Sequence, residues 1–105
     1  MTTQHTDKDF SAALEEKVLK YTEIENRALE VLSISVPENS ILYEFAKSSL
    51  EMIYSYFSDA KHFQEVGDLI NALSCLNYSY GWLDSGVRLG IFKTDGDYRK
   101  FTFYK

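Results

Sequence analysis

From Asp7 to Ser33, apolar residues return every three or four positions, at Leu14, Val18, Tyr21, Ala28 and Leu32. That spacing lays one apolar stripe along a helix. One slot of the series holds an acid, Glu25, with Ile24 supplying the apolar side chain beside it. Thr6 and Asp9 have the spacing of a capping box near its start, with a shorter acid than usual. No glycine or proline interrupts the run.

The segment SISVPENS ends it. Pro37 cannot continue a helix and biases Val36 toward extended backbone. Asn39 or Ser40 can cap a new start. The pattern then resumes through Leu42, Phe45, Ala46, Met52, Ile53, Tyr56, Phe57, Ala60 and Phe63. Gly67-Asp68 reads as a stop followed by a start, because glycine accepts the left-handed backbone that closes a helix and aspartate caps the next. A connection this short implies antiparallel neighbours.

The third pattern is the cleanest. Leu69, Leu73, Leu76, Tyr80, Leu83 and Val87 alternate spacings of four and three. Beside this seam runs a column of small residues, Ala72, Ser79 and Gly86, and beyond it a column of Cys75, Trp82 and Leu89. Together they cover roughly half the circumference of a helix, which predicts burial against both of the others. The expected architecture is all-α: an antiparallel three-helix bundle in a single domain, 1–105. Its helices are expected at about 7–33, 40–66 and 68–89, with a short C-terminal extension at 91–105.

In that extension the period changes. Asp95-Gly96 is a hairpin-type turn signal between IFKT and a run containing Tyr98, Phe101 and Phe103. An isolated two-stranded ribbon is marginal in water. The extension therefore reads either as a small β-hairpin lying on the bundle or another chain, or as coil.

Composition narrows the function. The chain has 105 residues and a formal charge of −5, and only residues 91–105 are net positive. An acidic body is poorly suited to a nucleic acid backbone. Arg99, Lys100 and Lys105 do alternate with Tyr98, Phe101, Phe103 and Tyr104, a pairing that could stack bases. Packing of this aromatic tail on the bundle or across a dimer is the better reading. The N-terminal MTTQHTDKDF lacks the charged and apolar regions of a secretory signal, and no apolar run is long enough to span a bilayer. These features lead us to expect a soluble, cytoplasmic protein with no membrane partner.

Catalytic and metal chemistries find few parts. Asp59 and His62 share a helical face, but di-iron bundles need two such pairs plus two further acids. The other histidine, His5, lies near the N-terminus. Cys75 sits in an apolar column and reads as a small core residue rather than a reactive thiolate. No phosphate-binding glycine loop of the strand-to-helix type is present. No metal, no cofactor and no catalytic residue is expected.

The glycines of SYGWLDSGVRLG carry more information. Gly90 follows the last periodic residue and is the expected helix stop. Gly86 belongs to the small column, where a missing side chain admits a neighbouring helix. Gly81 falls on the polar side, where an interior helical glycine costs about 1 kcal/mol relative to alanine. Either something outside the monomer approaches it or it is a tolerated surface glycine. Asp84 and Arg88 lie one turn apart in the favourable order for a helical ion pair.

The run FQEVGDLINALSCLNYSYGWLDSGVRLGIF resembles an archaeal family known as domain of unknown function 357. The matching elements are Phe63, Gly67, Asp68, Ala72 and Leu73, then Gly81, Trp82, Leu83, Asp84, Gly86, Arg88, Leu89 and Gly90. The chain departs from the family pattern at Ser79, Tyr80 and Ser85, near the tryptophan, where alanine is usual. The resemblance implies a short helical bundle, places Asp84 and Arg88 in the family signature, and implies no activity.

The expected function is a non-enzymatic protein–protein interaction module, a homodimer or a subunit of a larger complex. Its surface would be centred on Gly81, Trp82, Asp84 and Arg88, with the tail residues Tyr98, Phe101 and Phe103 as a second contact. The alternative is a small-ligand or nucleotide-binding protein, an enzyme in one version, using Tyr78, Trp82, Asp84 and Arg88.

Overall fold

The computed structural model describes residues 3–96, with side chains from Asp9 onward. Three helices carry the fold: α1 (Thr3–Val31), α2 (Ile41–Glu65) and α3 (Leu69–Leu89). Two three-residue strands, β1 (Leu32–Ile34) and β2 (Phe92–Thr94), follow α1 and α3. The helices are those the apolar periods predict. Helix α1 is already formed at Thr3, so the Thr6–Asp9 pair lies within it rather than at its start. It also ends at Val31, because the next three residues are taken by β1.

The turns use the expected residues. Ser40 caps α2, its side chain accepting from the Leu42 N–H. Gly67 takes φ +81°, and Asp68 caps α3 by accepting from the Asn71 N–H. Gly90 closes α3 at φ +86°, as its position predicts. The α2–α3 hairpin is thereby set tight, with α1 packed mainly against α3. Gln64 Nε2 on α2 also donates to Thr22 Oγ1 on α1 at 2.9 Å.

The core runs along the shared seam. Val18, Tyr21, Ala28, Ile53, Phe57, Leu76 and Leu83 are all buried. Burial of such side chains is worth about 1.5–3 kcal/mol each and is the main stabilising contribution.

IFKT supplies a strand, and among the described residues its partner is the segment after α1, while a hairpin with the run from Tyr98 lies outside the described residues. The pairing is antiparallel, with Leu32 opposite Thr94, Ser33 opposite Lys93 and Ile34 opposite Phe92. Further bonds tie the same segments: the Ser35 N–H donates to the Ile91 carbonyl at 2.9 Å, and Ser35 Oγ donates to the Gly90 carbonyl. Hydrophobic burial drives this choice, since Ile91 and Phe92 are both buried. Tyr98, Phe101 and Phe103, the expected second contact, lie outside the described residues.

Gly86 also needs a correction. The residue that approaches it is not on a neighbouring helix. A Cβ at Gly86 would overlap the ring of Phe92, so this one position of α3 seats the strand that follows it.

Candidate functional site

Tyr78, Gly81 and Trp82 come together as expected. With Asn77 and Ser85 they line a shallow, open groove of about 360 Å³, mostly apolar, on the outward side of α3. The seam residues Leu76, Tyr80 and Leu83 face the core, so this groove is the solvent side of the same helix. A Cβ built on Gly81 meets nothing within 4 Å. Nothing within the described monomer therefore requires glycine at this position.

Trp82 joins an aromatic row across the α2–α3 hairpin. Its ring lies 6.5 Å from Phe45 and 6.4 Å from Tyr78, centroid to centroid. Tyr78 in turn meets Tyr56 edge-on at 4.6 Å. Such tilted arrangements are the favoured ones for aromatic pairs. The row continues an exposed apolar margin. Ile41 and Phe45 are one turn apart on α2, as are Leu42 and Phe45, and Leu89 is two turns beyond Trp82 on α3. Ile41 is 91% exposed and Leu89 71%.

Along α3 itself this part of the sequence carries no charge, although Asp59 of α2 lies near Cys75. Between Asp68 and Asp84, the fifteen residues LINALSCLNYSYGWL contain no Asp, Glu, Lys or Arg, in a chain that is 26% charged. The absence matters because the centres of protein interfaces are depleted in charged residues. Asp84 and Arg88 mark the end of the neutral stretch. Arg88 Nε donates to Asp84 Oδ2 at 2.9 Å, forming the expected ion pair, with the guanidinium well exposed.

Other candidate chemistry stays apart. Asp59 and His62 are both exposed on α2. Among the described residues, no cluster of three or more His, Cys, Asp or Glu could hold a metal ion. Burial and the nearby Asp59 push the Cys75 thiol above its ordinary value of 9.0, which disfavours the nucleophilic thiolate.

Sequence reasoning missed one polar group. Glu25 is fully buried, and its Oε1 lies 2.6 Å from Ser79 Oγ, which is 3.0 Å from the Ile53 carbonyl. Burial pushes the Glu25 carboxyl from 4.5 up to about 8, and the Ser79 hydrogen bond opposes this in part. The available signal was the acid standing in an apolar slot of α1.

The fold and surface define a small three-helix bundle with a two-stranded clip and an aromatic groove on the outer side of α3. The family described as "Protein of unknown function (DUF357)" matches residues 20–92, and the chain belongs to it. Protein AF1782 from Archaeoglobus fulgidus, a crystal structure in the same family, is similar in fold with a TM-score of 0.68. It is 22% identical, and the match covers 82% of this chain and 99% of that one. No curated protein matches the chain. Among the described residues, no helix is long and apolar enough to cross a membrane.

Proposed function

We propose that this protein is a non-enzymatic interaction module whose docking face is the outer side of α3, and that the occupant is a second copy of the chain. The observation that carries this is Gly81. Its position costs helix stability, about 1 kcal/mol against alanine, while its missing side chain opens onto empty space rather than a neighbour. A second helix crossing at Gly81 would use that space. Trp82 and Tyr78 would be the aromatic anchors beside it, the residue types that dominate interface energetics.

Charge favours a self-partner at this face. Two copies each bearing −5 repel one another over most of their surfaces. The neutral stretch from Leu69 to Leu83 is where two copies can meet with least repulsion. A two-fold contact is self-complementary by construction, and the Asp84–Arg88 pair presents both signs at its rim. A ligand site using Arg88 is less well supported, because the guanidinium is engaged by Asp84 and the groove is open rather than enclosing.

The chain has a single tryptophan, and it lies in the proposed contact. Its emission maximum should therefore shift to longer wavelength on dilution, as Trp82 returns to water. An emission spectrum unchanged from low nanomolar to high micromolar concentration would contradict self-association through this face.

A further inference from the structure

We infer that Glu25 is held as the neutral acid, donating its proton to Ser79 Oγ, and that this proton is a pH-sensitive latch holding α1 on the α2–α3 hairpin. Donors and acceptors decide where the proton sits. Ser79 Oγ lies 2.6 Å from Glu25 Oε1 and 3.0 Å from the Ile53 carbonyl oxygen. A hydroxyl has one hydrogen to donate, and a carbonyl oxygen only accepts. With Glu25 ionised, two acceptors compete for one hydrogen, and one close oxygen–oxygen contact is left without a proton.

A protonated Glu25 resolves this. Its O–H donates to Ser79 Oγ, and the Ser79 O–H donates to Ile53. Both lengths then fall in the ordinary range for O–H donors. The relay runs from α1 through α3 to α2, joining all three helices. The second Glu25 oxygen, Oε2, is buried with no hydrogen-bond partner among the described residues. Half a negative charge there would be uncompensated, whereas the carbonyl oxygen of a neutral acid costs far less to bury.

Among the described residues, no charged group acts on the Glu25 carboxyl. Among the described residues, the buried polar side chains are Glu25, Ser49 and Ser79. On α1 the titratable group one turn away is the Tyr21 phenol, and on α3 the Tyr80 phenol follows Ser79. Both are buried. Cys75, one turn before Ser79, is pushed above 9.0. On α2 the relay ends at the Ile53 carbonyl, with the titratable side chains on either side of it, Glu51 and Tyr54, exposed, and Lys93 of β2 is exposed as well. Burial raises the carboxyl, the Ser79 hydrogen bond lowers it in part, and the net value is about 8. The opposing effect of Ser79 requires its hydroxyl to point at Glu25. With that hydroxyl directed to Ile53, it becomes an acceptor that favours the acid form.

The sign of the pH dependence follows. The unfolded chain releases the Glu25 proton near 4.5 and the folded chain near 8. Between those values the folded state binds more proton, so stability falls as pH rises and levels off above about 8. Within the window the folding equilibrium weakens about tenfold per pH unit from this group. Above it the proton is lost to solvent, the relay loses a link, and α1 carries an unpaired buried charge.

The test is carboxyl-carbon NMR on the labelled wild-type chain, with unfolding of wild type and Glu25→Gln followed from pH 5.5 to 9. Glutamine cannot ionise, and its amide can still donate to Ser79. The Glu25 carboxyl should titrate near 8. The wild-type folding equilibrium should fall against the variant by about tenfold per unit up to that point. Above it, α1 amides should lose protection relative to the variant more than those of α2 and α3. A carboxyl titrating near 4.5, or parallel stability profiles, would overturn the proton assignment. A uniform loss of protection would overturn the latch. If Glu25→Gln does not fold, titration of the wild-type carboxyl alone decides the assignment.

Discussion

Gly86 and Phe92 claim the same space: a Cβ on the glycine would overlap the phenyl ring six residues later. The bare backbone of α3 is thus the seat for the first residue of β2, and Phe92 is almost fully buried there. Gly86→Ala should destabilise the fold by about 1–3 kcal/mol, the range for overpacking a filled site. Phe92→Ala should cost about 3–5 kcal/mol by emptying it. Denaturant unfolding of the two variants measures both.

Gly81 should behave in the opposite way. With open space around its Cβ position, Gly81→Ala should stabilise the monomer by about 0.4–1 kcal/mol, through helix propensity and a less disordered unfolded chain. Thermal unfolding at a concentration low enough to hold the monomer is the measurement. A destabilised Gly81→Ala would mean that the glycine has a structural role within one chain.

Two buried serines should part company. Ser79 serves both Glu25 and Ile53, so Ser79→Ala should cost about 1–3 kcal/mol by stranding the carboxyl. Ser49 Oγ is buried without a hydrogen-bond partner among the described residues. Ser49→Ala should therefore be neutral or stabilising by up to about 1 kcal/mol. Equal losses at the two sites in urea unfolding would contradict this account of the polar cluster.

The Asp84–Arg88 pair should add little to the fold. Arg88 is 72% exposed, and exposed pairs one turn apart are worth about 0.3–0.5 kcal/mol before screening by salt. Arg88→Ala should shift the unfolding midpoint of the monomer only slightly, and less at high salt. A large loss of stability would show that the guanidinium holds the bundle together.

The apolar periods made the three helices legible, and Gly67, Asp68 and Gly90 made their ends legible, because each of those signals is local. Glu25 was visible only as an acid in an apolar slot. Its partner Ser79 lies 54 residues away, and no local period shows which serine faces it across the core. The same limit explains the strands. IFKT reads as extended, but a three-residue strand has too little pattern to name its partner, and burial of Ile91 and Phe92 decides it. Gly86 signalled close approach without saying by what. Tyr78, Gly81 and Trp82 could be grouped in advance because they share one helix.

Docking of a second copy on the outer side of α3 is tested most simply by the mass of the assembly in solution. Native mass spectrometry of the wild type and Gly81→Leu should give twice 12.1 kDa for the first and the single-chain mass for the second. A Cβ at this position meets nothing within 4 Å in the monomer, and circular dichroism of the variant separates loss of assembly from unfolding. A wild type that stays at the single-chain mass at high micromolar concentration, or a Gly81→Leu variant that remains a dimer, would contradict the claim.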